Sequence, residues 1–392
     1  MKNNLSRRQL LKSIPLLFFM NSGKLFADKT ENFTNKKLVI IELSGGNDGL
    51  NTLIPYTNDT YYKLRKKISI PKSKVLKIDD DFGFNPGMTG FKKLYDQGKV
   101  SIIHGCGYEN PSYSHFTSMS YWHTGYPNSG QKYGWLGRLA DLNKKSSFNV
   151  NINSSESLAV KSKFSIPIVF DNPNSLIRKK YFEQQSFFKE LGNQIKSTNK
   201  NLEFLNFIAQ KARQASIKIN TIINDFPKNT DYGILPLGLD NIAALIDAEY
   251  PASVFYTSFR NNAFDTHIQQ NNLHERLLTY LSDAISGFQN DLKRINKEDD
   301  VITMIFSEFG RRVPENTSLG TDHGTANHVY IVGSRVNGGH YQDVPNLDDL
   351  DDGDNLKFTT DFRKVYATLI DNWLESNSQE VLGNKFDRIG FI

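Results

Sequence analysis

Short apolar, β-branched runs recur along the chain, and each leads directly into a polar loop rich in Gly, Asp, Asn and His. Lys37 to Leu43 (KLVIIEL) runs into SGGNDGLNT, and Val100 to His104 into GCGYENPSYSH. Ala252 to Phe259 runs into RNNAFDTH, and Val301 to Phe306 (VITMIF) into SEFGRR and then TDHGTANH. His328 to Gly333 gives a further short strand that ends in a Gly-rich turn. Runs without polar alternation suit strands buried on both faces, as in a parallel sheet. Between them lie segments of helical period. Gln269 to Ile295 places Leu273, Leu277, Leu278, Leu281 and Ile285 on one stripe, and Asp361 to Trp373 does the same with Phe362, Val365, Tyr366, Leu369 and Trp373. Strands alternating with helices predict an α/β domain, a three-layer α/β/α sandwich around a mostly parallel sheet. In such sheets ligands sit beyond the carboxyl ends of the strands, which is where these polar loops fall.

The stretch from about 143 to 231 differs, being rich in Asn, Ser and Lys. It carries one strand-like patch (Ile166 to Phe170) and a helical stretch from Tyr181 to Ile223. It reads as an insertion or cap on a single domain spanning 28–392. The acidic run Asp348 to Asp354 reads as a solvated loop, with calcium ligation as the sharper alternative.

Composition narrows the chemistry. A lone cysteine, Cys106, excludes both an intramolecular disulfide and a thiolate zinc cluster. The net charge of +5 resides in the first 27 residues, whose five basic side chains have no acidic counterpart; the rest of the chain is formally neutral. Bulk charge therefore gives no reason to expect a nucleic-acid partner. The opening MKNNLSRRQLLKSIPLLFFMNSGKLFA has a basic region, a short apolar region and a small residue at Ala27. These features predict a cleavable export signal over 1–27, and Ser6-Arg7-Arg8-Gln9-Leu10-Leu11 is similar to the twin-arginine type. The expected location is exported, periplasmic or at a bacterial cell surface. The export machinery is an expected partner, and no integral membrane segment should remain after cleavage.

Four of the eight histidines, His115, His267, His323 and His328, fall in the strand-end loops. Asp265 and His267 point to one side of an extended segment, and Asp322 adjoins His323. Asp48 lies in a Gly-Gly-Asn-Asp-Gly loop, and Glu308 directly follows a buried strand. Carboxylate and imidazole without thiolate suit divalent zinc, manganese or iron, and a pair of ions would use about six such ligands. Ser114 stands before a helical run: it is an N-cap by default, and equally a hydroxyl placed where a phosphate would be held. Arg311 and Arg312 are surface cations or binders of an anionic substrate.

The motifs GGNDGLNT, NPSYSHF with a later HTG, FDTH, SEFGRR, TDHGTANH and DFRKVYATLIDNWL occur in that order. Together they resemble the bacterial DUF1501 family, a set of exported proteins similar to the alkaline phosphatase and sulfatase superfamily. The resemblance implies an alkaline phosphatase-like α/β/α fold and two divalent metal ions, zinc, manganese and calcium not being distinguishable. It implies a nucleophile at a helix start that attacks a small or polymeric phosphate or sulfate ester. On this basis Ser114 would be the nucleophile, with His115 and Arg311 as further catalytic groups. Asp48, Asp265, His267, Glu308 and His323 would be metal ligands, with Asp322 and His328 as further candidates. Glu308 stands where the superfamily usually shows an Asp. Tyr113 stands where relatives often carry Arg, and Asn262-Ala263 where they carry Gly-Gly. Ser118 occupies the position of the Arg needed for making formylglycine, which argues against a true sulfatase. The expected function is an exported metal-dependent hydrolase. The alternative is a non-catalytic binding or assembly protein that keeps the fold and one metal.

Overall fold

The computed structural model describes residues 35–144, 147–176 and 214–392. The expected export signal and most of the helical stretch expected over 181–223 lie outside these residues. The chain divides into two compact units, one comprising residues 34–171 and 225–392, the other 1–33 and 172–224. In the second, the described residues include the helical turn Pro173–Leu176 and a helical stretch from 214; Asn220 Nδ2 donates to Asn174 Oδ1 at 3.2 Å. The six motifs that carry the family resemblance all belong to the first unit.

Its core is a nine-stranded sheet. In chain order the strands are β1 (Lys37–Glu42), β2 (Val100–Gly107), β3 (Asn149–Ile152), β4 (Ile168–Phe170), β5 (Val254–Ser258), β6 (Val301–Phe306), β7 (Asn327–Val332), β8 (Gly339–Tyr341) and β9 (Thr360–Asp361). Across the sheet they run β8-β2-β7-β6-β1-β5-β3-β4, with β9 beside β2. Every pairing is parallel except the two made by β7. The central strand β1 places Leu38 opposite Val254 on one side and Ile302 on the other. The carboxyl ends of β1, β2, β5 and β6 thus share one edge, and the amino end of β7 joins them there. The register of β7 against β2 shifts between Asn327 and Val329, a bulge at the edge of the kind common beside active sites.

The α/β architecture agrees with the apolar runs. Leu38 and Ile40 face one layer while Val39 and Ile41 face the other, and all four are essentially inaccessible. The main helices of this unit are, in chain order, α1 (Thr89–Asp96), α2 (His115–Thr124), α3 (Trp135–Asn143), α4 (Leu239–Asp247) and α5 (Gln270–Arg294). The long α5 buries Leu277, Leu278, Leu281, Ile285, Phe288 and Leu292, while Leu273 stays partly exposed. Two features depart from the sequence pattern. β3 falls in the stretch that reads as a polar insertion, yet it pairs with β5 inside the main sheet. The C-terminal helix also splits into α6 (Arg363–Thr368) and a π-helical turn, Leu369–Trp373.

One helix matters most for the site. α2 (His115–Thr124) ends at Gly125, whose φ of +67° is the left-handed conformation a helix stop requires. Its far end is held by aromatic packing: Trp122 stacks on Phe362 at 4.2 Å, and Tyr366 donates to the Trp122 carbonyl at 2.9 Å. With that end fixed, the amino end of α2 is delivered to the shared strand edge. Among the described residues, no helix is long and apolar enough to cross a membrane.

Candidate metal centre

Three loops and the start of α2 converge at this edge. The β1 loop comes closest: a Cβ on Gly45 would lie 2.5 Å from the Asp265 backbone nitrogen, so only glycine fits, and its φ of +116° says the same. The close approach aligns two backbone groups of Gly45 with the site. Its N–H donates to Glu308 Oε1 at 2.9 Å, and its carbonyl accepts from Arg311 Nη2.

His115 is the first residue of α2. Its Nδ1 lies 2.7 Å from Glu308 Oε1. A carboxylate only accepts, so Nδ1 carries the proton and the Nε2 lone pair faces outward. That Nε2 is buried, has no hydrogen-bond partner, and lies 3.4 Å from Asp265 Oδ2. Burial pulls the His115 imidazole down, but the hydrogen bond and charge of Glu308, helped by Asp265, hold it above the ordinary histidine range. His323 follows the same logic: its Nδ1 donates to the Tyr113 carbonyl at 2.7 Å, which turns Nε2 toward Asp265 Oδ1 at 3.2 Å. Burial sets the His323 pKa below the ordinary range. His267 Nδ1 lies 3.3 Å from Asp322 Oδ1, and its Nε2 faces Arg311 Nη1, which can only donate, at 3.4 Å, an arrangement that favours the proton on Nδ1. Its Nε2 then meets Asp265 Oδ1 at 2.9 Å and His323 Nε2 at 3.0 Å.

With each Nδ1–H committed elsewhere, three imidazole lone pairs and the Asp265 carboxylate point at one another. Neutral imidazoles alone would repel in this arrangement, whereas a cation between them would bind. His115, Asp265 and His323 each offer a ligand atom within 4.8 Å of the others, and His267 Nε2 adjoins two of them, 3.0 Å from His323 Nε2 and 2.9 Å from Asp265 Oδ1. Neighbouring donors around a tetrahedral zinc ion lie roughly 3.3 Å apart, from Zn–N distances of about 2.0–2.1 Å. Four contacts of the cluster, from 2.9 Å to 3.4 Å, lie near that spacing. The outer carbonyl and carboxylates fix ring tautomers, as the partners behind metal-binding histidines commonly do. Phe309 supplies an apolar wall, its ring 4.9 Å from those of both His115 and His323. The chain therefore contains a group of side chains able to hold a metal ion.

The other residues singled out in the sequence take different places. Asp48 is fully buried outside the cluster. Its Oδ1 caps the helical turn Gly49–Thr52 by accepting from Leu50 and Asn51, and its Oδ2 lies 2.6 Å from Arg65 Nη1. Burial would raise its pKa, but the Arg65 charge and hydrogen bond outweigh it, and the carboxyl sits below its usual range. Glu308 faces His115 rather than the gap between donors, and Ser307 Oγ lies 3.0 Å from its second oxygen. Arg311 is also buried, and its donors are largely spent on backbone carbonyls. Nε reaches Gly46 at 2.6 Å and Nη1 reaches Thr321 at 2.9 Å, while Nη2 holds Asp265 Oδ1 at 2.7 Å. It positions Asp265 and has little capacity left for a substrate anion. Burial raises the Asp265 carboxyl, but Arg311 more than compensates and keeps it low. Asp322 is half exposed behind His267. His328, at the β7 bulge, packs its ring edge-on against His104, 5.0 Å away, not into the cluster. Ser114 is the exposed N-cap of α2, its Oγ accepting from Thr117 N at 3.4 Å. Its two neighbours, Tyr113 and His115, both serve the cluster.

Sequence reasoning missed Gln270. From the first turn of α5 its Nε2 donates to Asp48 Oδ2, while its Oε1 accepts from Thr266 Oγ1 at 3.2 Å and Thr321 Oγ1 at 2.7 Å. Those threonines adjoin the residues that carry the ligands, so Gln270 spaces the two loops. A lone glutamine at a helix start carries no signal for this.

No curated protein matches the chain. A solved structure of a protein in the alkaline phosphatase superfamily from Vibrio parahaemolyticus is 12% identical, with a TM-score of 0.34, over 79% of this chain and 62% of that one. The chain thus spans about three fifths of that protein's length. Ps i-CgsB in complex with k-i-k-neocarrahexaose is 9% identical, with a TM-score of 0.38, over 90% of this chain and 73% of that one. Residues 35–350 match the family described as protein of unknown function (DUF1501), and the chain belongs to that family.

Proposed function

We propose that the protein is a metal-dependent hydrolase of phosphate or sulfate esters, exported after synthesis. The observation that carries this reading is the convergence of His115, His267 and His323 Nε2 on Asp265, with every Nδ1–H already committed. His115, Asp265, His267 and His323 would hold the ion. When bound, it would polarise an ester oxygen and stabilise charge on the transferring group.

The chain's own residues supply the remainder. Arg311 holds Asp265 in place. Glu308, Asp322 and the Tyr113 carbonyl hold the imidazoles in the binding tautomer. Ser114 is the proposed nucleophile, on the solvent side of α2 at its positive end, where an oxyanion is favoured. Phe309 keeps water from the inner side of the imidazoles. A second reading, a non-catalytic binding protein that keeps the ion, is favoured by the engagement of Ser114 Oγ in capping.

The test is to purify the protein, supplement it with zinc or manganese, and assay it against phosphate monoesters, phosphate diesters and sulfate esters. Ser114→Ala and His267→Ala are run alongside. The proposal expects turnover that Ser114→Ala abolishes with the ion retained, and that His267→Ala abolishes with the ion lost. Ion binding with no turnover on any ester would favour the second reading.

A further inference from the structure

We infer that this centre holds a single divalent cation, the position a second ion would need being closed by fixed guanidinium groups. This rests on the proposed metal site and goes beyond it, because the resemblance carried by the motifs implies a pair. Two ions about 3.5–4 Å apart are held by a ring of carboxylates and imidazoles that share a bridging ligand. Among the described residues, the carboxylates near the cluster are already neutralised or committed.

Asp48 is the clearest case. Its Oδ2 is held by Arg65, and Arg65 cannot swing away. That side chain is wholly buried, and it also donates to the Val313 carbonyl at 2.7 Å, the Arg312 carbonyl at 2.9 Å and Asn51 Oδ1 at 3.0 Å. Displacing it would strand a buried cation, which is strongly unfavourable. Glu308 has Oε1 occupied by the Gly45 N–H and His115, and Oε2 facing Ser307. Asp265 is the natural bridging ligand, but its Oδ1 already faces Arg311, which is anchored by the carbonyls of Gly46, Thr321 and Phe264. A second ion bridged through that oxygen would meet a fixed like charge. Asp322 alone remains, half exposed and hydrogen-bonded by Asn316 at 3.1 Å, and one carboxylate does not make an ion site. The positive charge that a second metal would bring to the site comes instead from the protein itself.

The experiment uses the full chain, stripped with chelator and reloaded with Co(II). Bound metal is counted by elemental mass spectrometry, and the ion is examined by electron paramagnetic resonance. One equivalent per chain is expected, with the signal of an isolated high-spin ion. Asp48→Asn should also bind one equivalent; if it does not fold, Glu308→Gln loaded at saturating Co(II) should still bind one equivalent, though more weakly. Two tight equivalents, a spin-coupled pair, or an equivalent lost from folded Asp48→Asn would overturn the inference and leave the hydrolase proposal standing. No bound ion in the wild-type protein would overturn both.

Discussion

Replacing Glu308 by Gln isolates the part the protein plays in preparing His115. The glutamine carbonyl can still accept from the His115 Nδ1–H and the Gly45 N–H, both of which now use Oε1. Its amide can donate to Ser307 Oγ, whose own proton can go to the Leu43 carbonyl 2.7 Å away. The hydrogen-bond pattern survives and the buried charge is lost. His115 is held above its ordinary pKa by that hydrogen bond and charge against burial, so its basicity as a ligand falls with them. Loss of such an outer partner typically weakens metal binding about 10- to 100-fold, or roughly 1.4–2.7 kcal/mol. Zinc affinity measured by competition with a chromophoric chelator should fall within that range. The melting temperature of the metal-free protein should stay close to wild type. An unchanged affinity would refute the idea that Glu308 acts through His115. A collapse in stability with no separate effect on the ion would reduce Glu308 to a structural acid.

Asp48→Ala strips a buried guanidinium of its counter-charge and a helical turn of its cap. Removing one partner of a buried pair costs about 3–5 kcal/mol, read as a large drop in the urea midpoint. Gly45→Ala would drive a Cβ into the Asp265 backbone at a φ of +116°, and should both destabilise the fold and loosen metal binding; an affinity within about twofold of wild type would contradict that close approach. Gln270→Leu should weaken metal binding more than it lowers melting temperature, because it unties the loops from Asp48; equal ion affinity would contradict this. The metal-free protein should also lose stability on acidification. Burial lowers His274 and His328 to about 4, whereas the unfolded histidines bind protons from about 6.5 downward. Stability should therefore fall from about pH 6.5 toward pH 4, by up to about 1.4 kcal/mol per pH unit for each group. His115, with its raised value, works the other way: its contribution is full below about 6.5 and lost as pH rises through its folded value. Urea midpoints at about pH 7 and pH 5 measure the balance, and a higher midpoint at the lower pH would mean that these buried rings are not held neutral.

How much of this was legible depended on whether burial shows in residue type. β1 and β6 were legible because VII and VITMIF are apolar on both faces. β3 was not, since its Asn149 and Asn151 are polar by type yet buried. Their Nδ2 groups donate to the Leu136 and Ser155 carbonyls, each at 3.0 Å, partners no periodicity reveals. The same holds in the site. The FDTH and TDHG segments place Asp265, His267 and His323 at one edge, and the structure brings these three together. Whether Asp48 ligates a metal or answers a guanidinium depends on Arg65, which lies outside every motif. Glu308 and Arg311 are likewise charged groups whose roles are set by what sits opposite them. His328 shares a loop end with the cluster but is turned toward His104 by the bulge in β7.

The proposed centre is one ion held between His115, Asp265, His267 and His323. It is tested most directly by a crystal structure of the zinc-loaded protein, with anomalous data collected on both sides of the zinc edge. An anomalous peak bonded to the three Nε2 atoms and to Asp265 is expected. A peak bonded to Asp48 or Glu308, or none at the strand edge, would contradict it.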